Sequence, residues 1–222
     1  MKNRTNLSNE WIKGRLKDKH NKPIQVLCKR LMDIVATSAA LTILSPFLVA
    51  VAVLIKATSN GPVLFKQERV GFRGQHFTML KFRSMVINAE ETKAELAQFN
   101  EQAGPVFKIK DDPRVTSIGR FIRKHSIDEL PQLLNVLHGD MSLVGPRPAI
   151  PSEVAQYQPC HRQRLCAVPG LTCTWQVSGR NHIPFERWME MDIEYIRSWS
   201  LAQDIEIILK TVPVILTGRG AS

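Results

Sequence analysis

The sequence has little cysteine, and its cysteines are not arranged for disulfides or zinc. Four cysteines occur among 222 residues at uneven spacing, which excludes the dense disulfide framework of a small secreted domain. Cys160, Cys166 and Cys173 lack the close C-x2-4-C pairing of structural zinc sites, so a zinc site is disfavoured. We therefore expect reduced thiols, as in cytosolic proteins.

The common signature motifs of nucleotide-binding and hydrolytic enzymes are also missing. The chain has neither G-x-x-x-x-G-K-[ST] nor G-x-G-x-x-G, so neither a P-loop nor a dinucleotide-binding fold is supported. It also lacks H-E-x-x-H and G-x-S-x-G, the motifs of zinc proteases and of α/β-hydrolases. Any chemistry must therefore come from a less common arrangement.

Acidic residues are scarce relative to basic ones. The chain holds 30 Lys and Arg against 20 Asp and Glu, a formal net charge of +10, which predicts an anionic partner. The basic residues are scattered through Gly- and Pro-containing loops, and they do not alternate with stacking aromatics on one helix face. We therefore expect no nucleic acid partner and favour phosphate-bearing substrates or anionic lipid.

Charge is missing altogether from one long stretch. Residues Ile34–Ile55 are 22 consecutive uncharged residues, 17 of them apolar. As a helix this run would be about 33 Å long, enough to cross the hydrocarbon core of a bilayer. Ser45 and Pro46 lie at its centre, where the proline removes a backbone donor and bends the helix. Ser45 can bond the carbonyl that Pro46 leaves free.

Both flanks of this run are basic. Residues 1–33 carry nine Lys and Arg against three acids, and residues 56–83 carry six against Glu68 alone. The positive-inside rule therefore puts both ends on the cytoplasmic side. A re-entrant helix that breaks at Ser45-Pro46 and returns to the same leaflet satisfies both features. A single-pass anchor with a kink and a buried core helix of a soluble protein are the alternatives.

The rest of the chain is predicted to form helices and one small hairpin. The hairpin strands are expected at residues 62–67 and 76–82, around the turn Gly71–Gly74. Apolar periodicity predicts helices over residues 85–100, 116–124, 126–137, 152–165, 184–198 and 201–217. The last two mix apolar residues with charges, which fits either core packing or a helix at a membrane interface.

An adjacent carboxylate pair, Asp128 and Glu129, is the leading candidate for chemistry. It follows Ser126 in the first turn of a predicted helix, where neighbouring side chains project about 100° apart and can perform different tasks. A structural alternative is that Glu129 completes a capping box with Ser126 while Asp128 favours the positive end of the helix.

Three basic clusters favour the functional interpretation of this pair. Arginines held by Gly or Pro in short loops suit bidentate phosphate contacts. The clusters are Lys81-Phe82-Arg83, Gly145-Pro146-Arg147-Pro148 and Gly179-Arg180-Asn181, and Arg120, Arg123 and Lys124 precede the carboxylates.

A longer set of motifs resembles the bacterial sugar transferases, the monotopic phosphoglycosyl transferases. The matching motifs are ordered and extend over about residues 28–217. They are Lys29-Arg30…Asp33, Ser45-Pro46, Lys81-Phe-Arg83-Ser-Met85, Asp112-Pro-Arg114, Ser126-Ile-Asp-Glu-Leu-Pro-Gln132, Gly139-Asp-Met-Ser-Leu-Val-Gly-Pro-Arg-Pro148, Pro169-Gly-Leu-Thr172 and Trp175-Gln-Val-Ser-Gly-Arg-Asn181.

The resemblance implies a monotopic protein of the cytoplasmic (inner) membrane. We expect an α+β, mostly helical chain in three parts. These are a basic arm at residues 1–27, a re-entrant membrane helix at 28–58, and a compact cytosolic catalytic domain at 59–222 with interfacial amphipathic helices. The family's helix-break-helix at Ser-Pro matches Ser45 and Pro46.

The resemblance also implies an activity. The expected enzyme transfers a sugar 1-phosphate from a UDP-sugar, UDP-galactose or UDP-glucose, to undecaprenyl phosphate and releases UMP in exopolysaccharide or glycoconjugate biosynthesis. By position, Asp128 would be the nucleophile that carries a covalent phosphosugar, and Glu129 together with Asp128 would hold Mg²⁺. Residues expected to bind the phosphates or the nucleotide are Lys81, Arg83, Arg123, Arg147, Arg180, Asn181 and Asp204, the last by its match to a functionally important acid.

The expected partners are the UDP-sugar, undecaprenyl phosphate and membrane lipids, and a homodimer is left open. Two other functions are also left open. One is a phosphohydrolase that uses the same Asp-Glu pair with water in place of the lipid acceptor. The other is a non-enzymatic basic protein that binds membranes.

Overall fold

In the computed structural model, residues 23–101, 106–107, 109, 111–179 and 183–217 are described. Within these ranges helices predominate, and four short strands form two separate two-stranded sheets, in agreement with the predicted mostly helical α+β fold. Residues 1–22 of the predicted arm lie outside the described residues, as do Arg180 and Asn181.

The helices are α1 (Pro23–Thr58), α2 (Ser117–Lys124), α3 (Gln132–His138), α4 (Pro151–Val154), α5 (Thr174–Ser178), α6 (Phe185–Ser198) and α7 (Leu201–Thr217). The strands are β1 (Leu64–Val70), β2 (His76–Phe82), β3 (Ser142–Val144) and β4 (Gly170–Thr172), and 3-10 turns lie at Phe72–Gly74, Glu91–Lys93, Ala97–Phe99, Ile127–Glu129 and His161–Cys166.

Helix α1 contains the whole uncharged run. It has 36 residues with Pro46 inside it, and it is long and apolar enough to cross a membrane by length and composition. Ser45 Oγ donates to the Thr42 carbonyl at 2.9 Å. That carbonyl is the acceptor that a backbone N–H at position 46 would use in an α-helix. The prediction that Ser45 donates a hydrogen bond to the carbonyl left free by Pro46 is therefore confirmed.

The first half of α1 is bound to the rest of the chain through charged side chains. Lys29 Nζ donates to Asp204 Oδ2 at 2.7 Å and to the Val144 carbonyl at 2.9 Å. Asp33 Oδ1 accepts the backbone N–H of Leu143 at 3.0 Å. Since Lys29, Asp33 and Asp204 are all buried, these contacts tie α1 to β3 and α7.

Arg30 extends this attachment to α3. Its guanidinium donates to the carbonyls of Val136 and Leu137 at 2.7 and 2.9 Å. These carbonyls lie in the last turn of α3, where they lack helical donors and carry partial negative charge. Arg30 therefore joins α1 to the end of a second helix.

The second half of α1 is attached by apolar packing. Ile55 has no exposed surface and packs against Phe82 of β2 and Ile122 of α2. Between the two attached halves, side chains such as Ile43 and Phe47 are exposed. Both halves of α1 therefore lie against the same folded unit, while the apolar middle of the helix does not.

The predicted hairpin and three of the predicted helices are confirmed. β1 and β2 pair antiparallel, with Leu64 opposite Phe82 and Val70 opposite His76. The expected helices over 116–124, 184–198 and 201–217 are α2, α6 and α7. These elements have strong local signals, because their periodicity is unbroken by proline until Pro213 in α7.

The predicted helix over residues 85–100 is wrong. The structure has only two single 3-10 turns there, Glu91–Lys93 and Ala97–Phe99. Arg114 donates from its guanidinium to the Ala89 carbonyl at 2.8 Å, an acceptor that a helix would need for its own hydrogen bonds. A tertiary contact therefore replaces the helix that periodicity favoured.

The predicted helices over 126–137 and 152–165 are interrupted, and each contains a proline. Pro131 supplies no N–H, and the first segment becomes the turn Ile127–Glu129 followed by α3. Pro159 lies in the second segment, which forms only α4 and a later 3-10 turn. Neither break shows in the pattern of apolar residues.

β3 and β4 form a parallel pair that supports the loop after β3. A Cβ atom on Gly145 would lie 2.4 Å from the Val168 carbonyl, and one on Gly170 would lie 2.1 Å from the Gly145 nitrogen. Glycine is therefore required for the two backbones to approach this closely. The loop that carries Arg147 is thereby held directly against β4.

Asp204→Asn should lower the free energy of unfolding by about 3–5 kcal/mol, because it leaves the charge of Lys29 buried without its partner. Denaturant unfolding of the detergent-solubilised protein, followed by tryptophan fluorescence, measures this change. Glu206→Gln is the matched control, since it removes an exposed pair with Lys210 and should cost less than about 1 kcal/mol. Equal stabilities of Asp204→Asn and the wild type would contradict an anchoring role for this ion pair.

Candidate active site

A cleft of about 480 Å³ opens between the β1–β2 hairpin, the turn Ile127–Glu129 and the loop after β3. It is lined by charged residues from all three segments and by aromatic side chains of α5 and α6. Of the predicted site residues, Lys81, Arg83, Arg123, Asp128, Glu129 and Arg147 line this cleft.

The carboxylate pair is placed by a sharp reversal of the chain after α2. Thr116 caps the start of α2 by accepting the Gly119 N–H at 3.0 Å. Two residues beyond the end of α2, Ser126 adopts the left-handed conformation with φ 54° and makes no side-chain cap. The predicted capping box between Ser126 and Glu129 is therefore wrong, and the turn frees both carboxylates from a capping role.

Glu129 is held by two cations from distant parts of the chain. Its Oε1 accepts from Lys81 Nζ at 2.8 Å and from an Arg147 guanidinium nitrogen at 2.5 Å. The other Arg147 nitrogen donates to Glu129 Oε2 at 3.4 Å, so Arg147 binds both carboxylate oxygens. These contacts join β2, the turn and the loop after β3.

The charges of these three groups shift one another's pKa values. Burial acts to raise the pKa of Glu129, but the charges of Arg147 and Lys81 outweigh it and hold that pKa well below its ordinary value. Burial lowers the pKa of Lys81, against the attraction of Glu129. Burial acts to lower the pKa of Arg147, but the charge of Glu129 outweighs it and raises that pKa. Glu129 is therefore firmly ionised.

Asp128 has the opposite character. Burial raises the pKa of Asp128 to about 6, the charge of Lys81 opposes this shift, and the negative charge of Glu129 adds to it. Asp128 is buried and lines the cleft. No described residue donates a hydrogen bond to its carboxylate. An open, poorly solvated carboxylate beside a permanently charged neighbour is typical of a nucleophile or a base.

Asp128 and Glu129 are also the residues that could hold a metal ion. The described residues contain no group of three or more His, Cys, Asp or Glu arranged around a common point. Mg²⁺ is commonly bound by one or two carboxylates together with substrate phosphates and water. Asp128 and Glu129 would hold such an ion together with a diphosphate substrate, since both line the cleft.

The Arg147 loop is braced from behind by a buried ion pair that the sequence did not reveal. Arg164 donates to the Arg147 carbonyl at 2.9 Å and forms an ion pair with Asp192 of α6 at 2.7 Å. Both residues are almost fully buried. Arg164 and Asp192 are 28 positions apart in the sequence, and no local motif links them. This bracing fixes the backbone that carries Arg147.

Two predicted substrate-binding residues make mainly structural contacts. Arg83 lines the cleft, but its guanidinium donates to the Ser59 carbonyl at 2.9 Å and to the Asn60 carbonyl, just beyond α1. Asp204 is fully buried away from the cleft and accepts from Lys29, and from Tyr195 Oη at 2.6 Å. The positions favour an anchoring role for Asp204.

Several cleft residues were not singled out as site residues in the sequence, and three of them have side chains suited to ligand contact. Trp175 and Trp188 stack with ring centroids 4.4 Å apart, and Arg69 of β1 lies on the same cleft. Trp175 belongs to a motif quoted above, so its family context was a usable signal. For Arg69, the only signal in the sequence was its place among the alternate residues of β1, which share one face of the strand.

Comparison with known proteins shows which family the chain matches. The family model described as "Bacterial sugar transferase" matches residues 24–218. The chain is 46% identical over 198 residues to the galactosyl transferase CpsE of Streptococcus agalactiae, an alignment that covers 88% of this chain and 44% of that relative. It is 39% identical over 204 residues to the exopolysaccharide production protein ExoY of Rhizobium meliloti, covering 90% of each.

A third relative carries a more specific name. The chain is 43% identical over 203 residues to the UDP-glucose:undecaprenyl-phosphate glucose-1-phosphate transferase of Caulobacter vibrioides, covering 88% of this chain and 72% of the relative. The chain thus spans less than half of CpsE and nearly all of ExoY. The family match covers both the long apolar helix and the cleft.

Asp128→Asn should raise the free energy of unfolding at pH 8 by about 3 kcal/mol relative to the wild type. The native pKa of Asp128, about 6, exceeds its ordinary value of 3.8, so the wild type loses stability as pH rises from about 4 to about 6. Denaturant unfolding at pH 8 and pH 4 measures the difference, which should vanish at pH 4. Asp111→Asn, at an exposed position, should change stability by less than about 0.5 kcal/mol at either pH. A pH-independent difference for Asp128→Asn would contradict the raised pKa.

Proposed function

The chain belongs to the bacterial sugar transferase family, and we propose that it transfers a sugar 1-phosphate from a UDP-sugar to undecaprenyl phosphate. The products are undecaprenyl-diphosphate-sugar and UMP. The observation that carries this proposal is the open carboxylate of Asp128, set beside a Glu129 that two cations hold in place. This is an arrangement suited to nucleophilic attack on a phosphorus atom surrounded by positive charge.

The names of the relatives support the same reaction class. One is named for transfer of glucose 1-phosphate from UDP-glucose to undecaprenyl phosphate, and another as a galactosyl transferase. We propose galactose or glucose as the sugar. The name of ExoY supports a place in exopolysaccharide production.

The proposed reaction has two displacement steps. A carboxylate oxygen of Asp128 attacks the phosphorus bonded to the sugar, and the bond from that phosphorus to the bridging diphosphate oxygen breaks. The electron pair of that bond leaves with UMP, so the sugar phosphate remains on Asp128 as an acyl phosphate. A phosphate oxygen of undecaprenyl phosphate then attacks the same phosphorus and releases the Asp128 carboxylate.

The cations of the cleft stabilise the charge of these steps. Lys81 and Arg147 lie within hydrogen-bonding distance of Glu129, next to the attacking residue, and Arg123 lines the same cleft. Arg180 and Asn181, which fall outside the described residues, complete the proposed phosphate-binding set. Mg²⁺ held by Glu129 and Asp128 with the diphosphate would neutralise negative charge that otherwise repels the nucleophile.

We also propose that α1 is a re-entrant membrane helix that bends at Ser45-Pro46, where the helix continues without the predicted break. Its two halves both contact the unit that contains the cleft, through Lys29 at one end and Ile55 at the other. A spanning helix would carry one of these ends across about 30 Å of hydrocarbon. The re-entrant arrangement keeps the cytosolic domain on one side, at the level of the lipid phosphate.

Helix α7 supports contact with the same membrane surface. It presents an exposed apolar stripe at intervals of three and four residues. The stripe consists of Ile205, Leu209, Val212 and Leu216. A helix of this kind fits an interfacial position beside α1, and the localisation we propose is the cytoplasmic face of the inner membrane.

Incubation of the purified enzyme with a UDP-sugar and no lipid acceptor should place one sugar phosphate on Asp128. Intact-protein and peptide mass spectrometry detect this adduct, which undecaprenyl phosphate should discharge. Asp128→Asn should carry no adduct and lose transfer activity by a factor of about 10⁴ or more. Asp111→Asn is the matched control and should behave as the wild type.

Two outcomes would contradict the proposal. A wild-type enzyme that releases UMP at full rate without any acceptor would be a hydrolase. Turnover without a detectable adduct, under conditions that trap the acyl phosphate, would argue for direct attack by the acceptor and against a covalent role for Asp128.

Single cysteines introduced by His20→Cys and Asn60→Cys, in a chain whose four native cysteines are replaced, should both react only from the cytoplasmic side. Labelling of intact cells and of inverted membrane vesicles with an impermeant maleimide measures this. The expected result follows from basic flanks on both sides of Ile34–Ile55. Accessibility of the two cysteines from opposite sides would establish a spanning helix instead.

A further inference from the structure

Arg69 lies in the cleft on the same face of the hairpin as Lys81. Lys81 stands opposite Phe65 in the strand register, and directly paired residues of antiparallel strands share a face. Phe65, Gln67 and Arg69 are alternate residues of β1, so their side chains also share that face. All four line the cleft.

The hydrogen bonds of Arg69 leave most of its donors unused. One terminal nitrogen donates to the Pro148 carbonyl at 2.9 Å and the other to Gln67 Oε1 at 2.6 Å. Its Nε is buried without a partner. Because a guanidinium has five N–H groups, one unused donor remains on each terminal nitrogen for a ligand.

Arg69 is only partly buried, and the lack of a carboxylate partner distinguishes it from three other arginines of the described residues. Those three form ion pairs, which are Arg114 with Asp112, Arg147 with Glu129, and Arg164 with Asp192. In the described part of the chain no carboxylate oxygen lies within 4.0 Å of the Arg69 guanidinium. The carboxylates of Glu153 and Glu129 attract Arg69 only from a distance, so its free donors point to an anionic ligand.

Arg30 and Arg83 also lack a carboxylate, but their acceptors explain their burial. Arg30 donates to the last carbonyls of α3 and Arg83 to carbonyls just beyond α1, where helix ends carry partial negative charge. The acceptors of Arg69 are a loop carbonyl and a neutral amide. Neither supplies comparable compensation.

Arg69 is expected to be charged at neutral pH. Burial lowers the pKa of Arg69 to about 10, and the positive charge of Arg147 adds to this effect. The group is therefore protonated at neutral pH, beside a second cation. A phosphate in the cleft would offset both the lost hydration and the repulsion from Arg147.

The position of Arg69 relative to the carboxylate pair indicates which phosphate it serves. Lys81 and Arg147 contact Glu129, next to Asp128. Arg69 contacts neither carboxylate and instead lies against Pro148, one residue beyond Arg147. The phosphorus under attack must lie at Asp128, so the second phosphate of a diphosphate lies farther from the pair.

We propose that Arg69 binds the phosphate group that leaves with the nucleotide. The unused N–H groups of its two terminal nitrogens would donate to the oxygens of that phosphate as negative charge develops on it. This inference rests on the proposed function and adds a leaving-group residue to it. It predicts affinity for a nucleoside monophosphate, which binding measurements can detect without turnover.

The test compares Arg69→Gln, Arg69→Lys and Lys66→Gln in the full chain in lipid nanodiscs. Lys66 is exposed on the opposite face of β1 and is the matched control. Calorimetric titration with UMP should show affinity lower by about tenfold or more for Arg69→Gln, an intermediate loss for Arg69→Lys, and no change for Lys66→Gln. Uridine lacks the phosphate. The affinity for uridine, measured by competition at millimolar concentration, should therefore be unchanged in all three variants.

Each contrary result has a distinct meaning. Wild-type affinity of Arg69→Gln for UMP overturns the inference, and so does an equal loss of affinity for UMP and uridine, which would indicate a role only in holding the Pro148 loop. A loss confined to farnesyl phosphate, a soluble acceptor analogue, overturns it by assigning Arg69 to the acceptor. If the wild type binds neither UMP nor a UDP-sugar, the proposed function itself fails. Arg69→Lys keeps the charge but replaces the planar guanidinium by a single ammonium nitrogen, so it decides the question if Arg69→Gln does not fold.

Discussion

The cleft depends on one carboxylate that two partly buried cations share. Glu129 accepts from Lys81, 48 positions away in the sequence, and from Arg147, 18 positions away. Each cation alone would be costly to bury, and the two would repel each other without the carboxylate between them. The resulting triad closes the hairpin, the turn and the loop after β3 around Asp128. It also leaves Asp128 as the carboxylate that is open to a substrate.

A second polar network joins the apolar helix to this site. Lys29, Arg30 and Asp33 are charges on the flank of the uncharged run, and in the sequence they served as a topology signal and as one of the family motifs. In the structure all three bind groups in β3, α3 or α7. The cost of burying them is offset by mutual pairing and by carbonyls at helix ends. These contacts therefore fix the helix relative to the cleft, which suits a reaction at the level of lipid phosphates.

The accuracy of the sequence predictions follows the range of the interactions involved. The hairpin and α2, α6 and α7 were predicted correctly because alternation and helical periodicity are local properties. The helix expected over residues 85–100 does not form, since Arg114 binds a backbone carbonyl there. Ser126 lies in a left-handed conformation where a capping residue was expected, and this reversal is what turns Asp128 and Glu129 into the cleft.

The sequence by itself determined the uncharged run with its central Ser45-Pro46, the adjacency of Asp128 and Glu129, and the motifs that resemble a family. These are properties of neighbouring residues, and the chain order alone expresses them. Only the tertiary structure decided which basic residues meet the pair. It brought Lys81 and Arg147 onto Glu129, directed Arg83 toward the end of α1, buried Asp204 in the anchor of α7, and added Arg69 to the cleft. Such choices depend on strand register and on packing between distant segments, because these set the direction of each side chain.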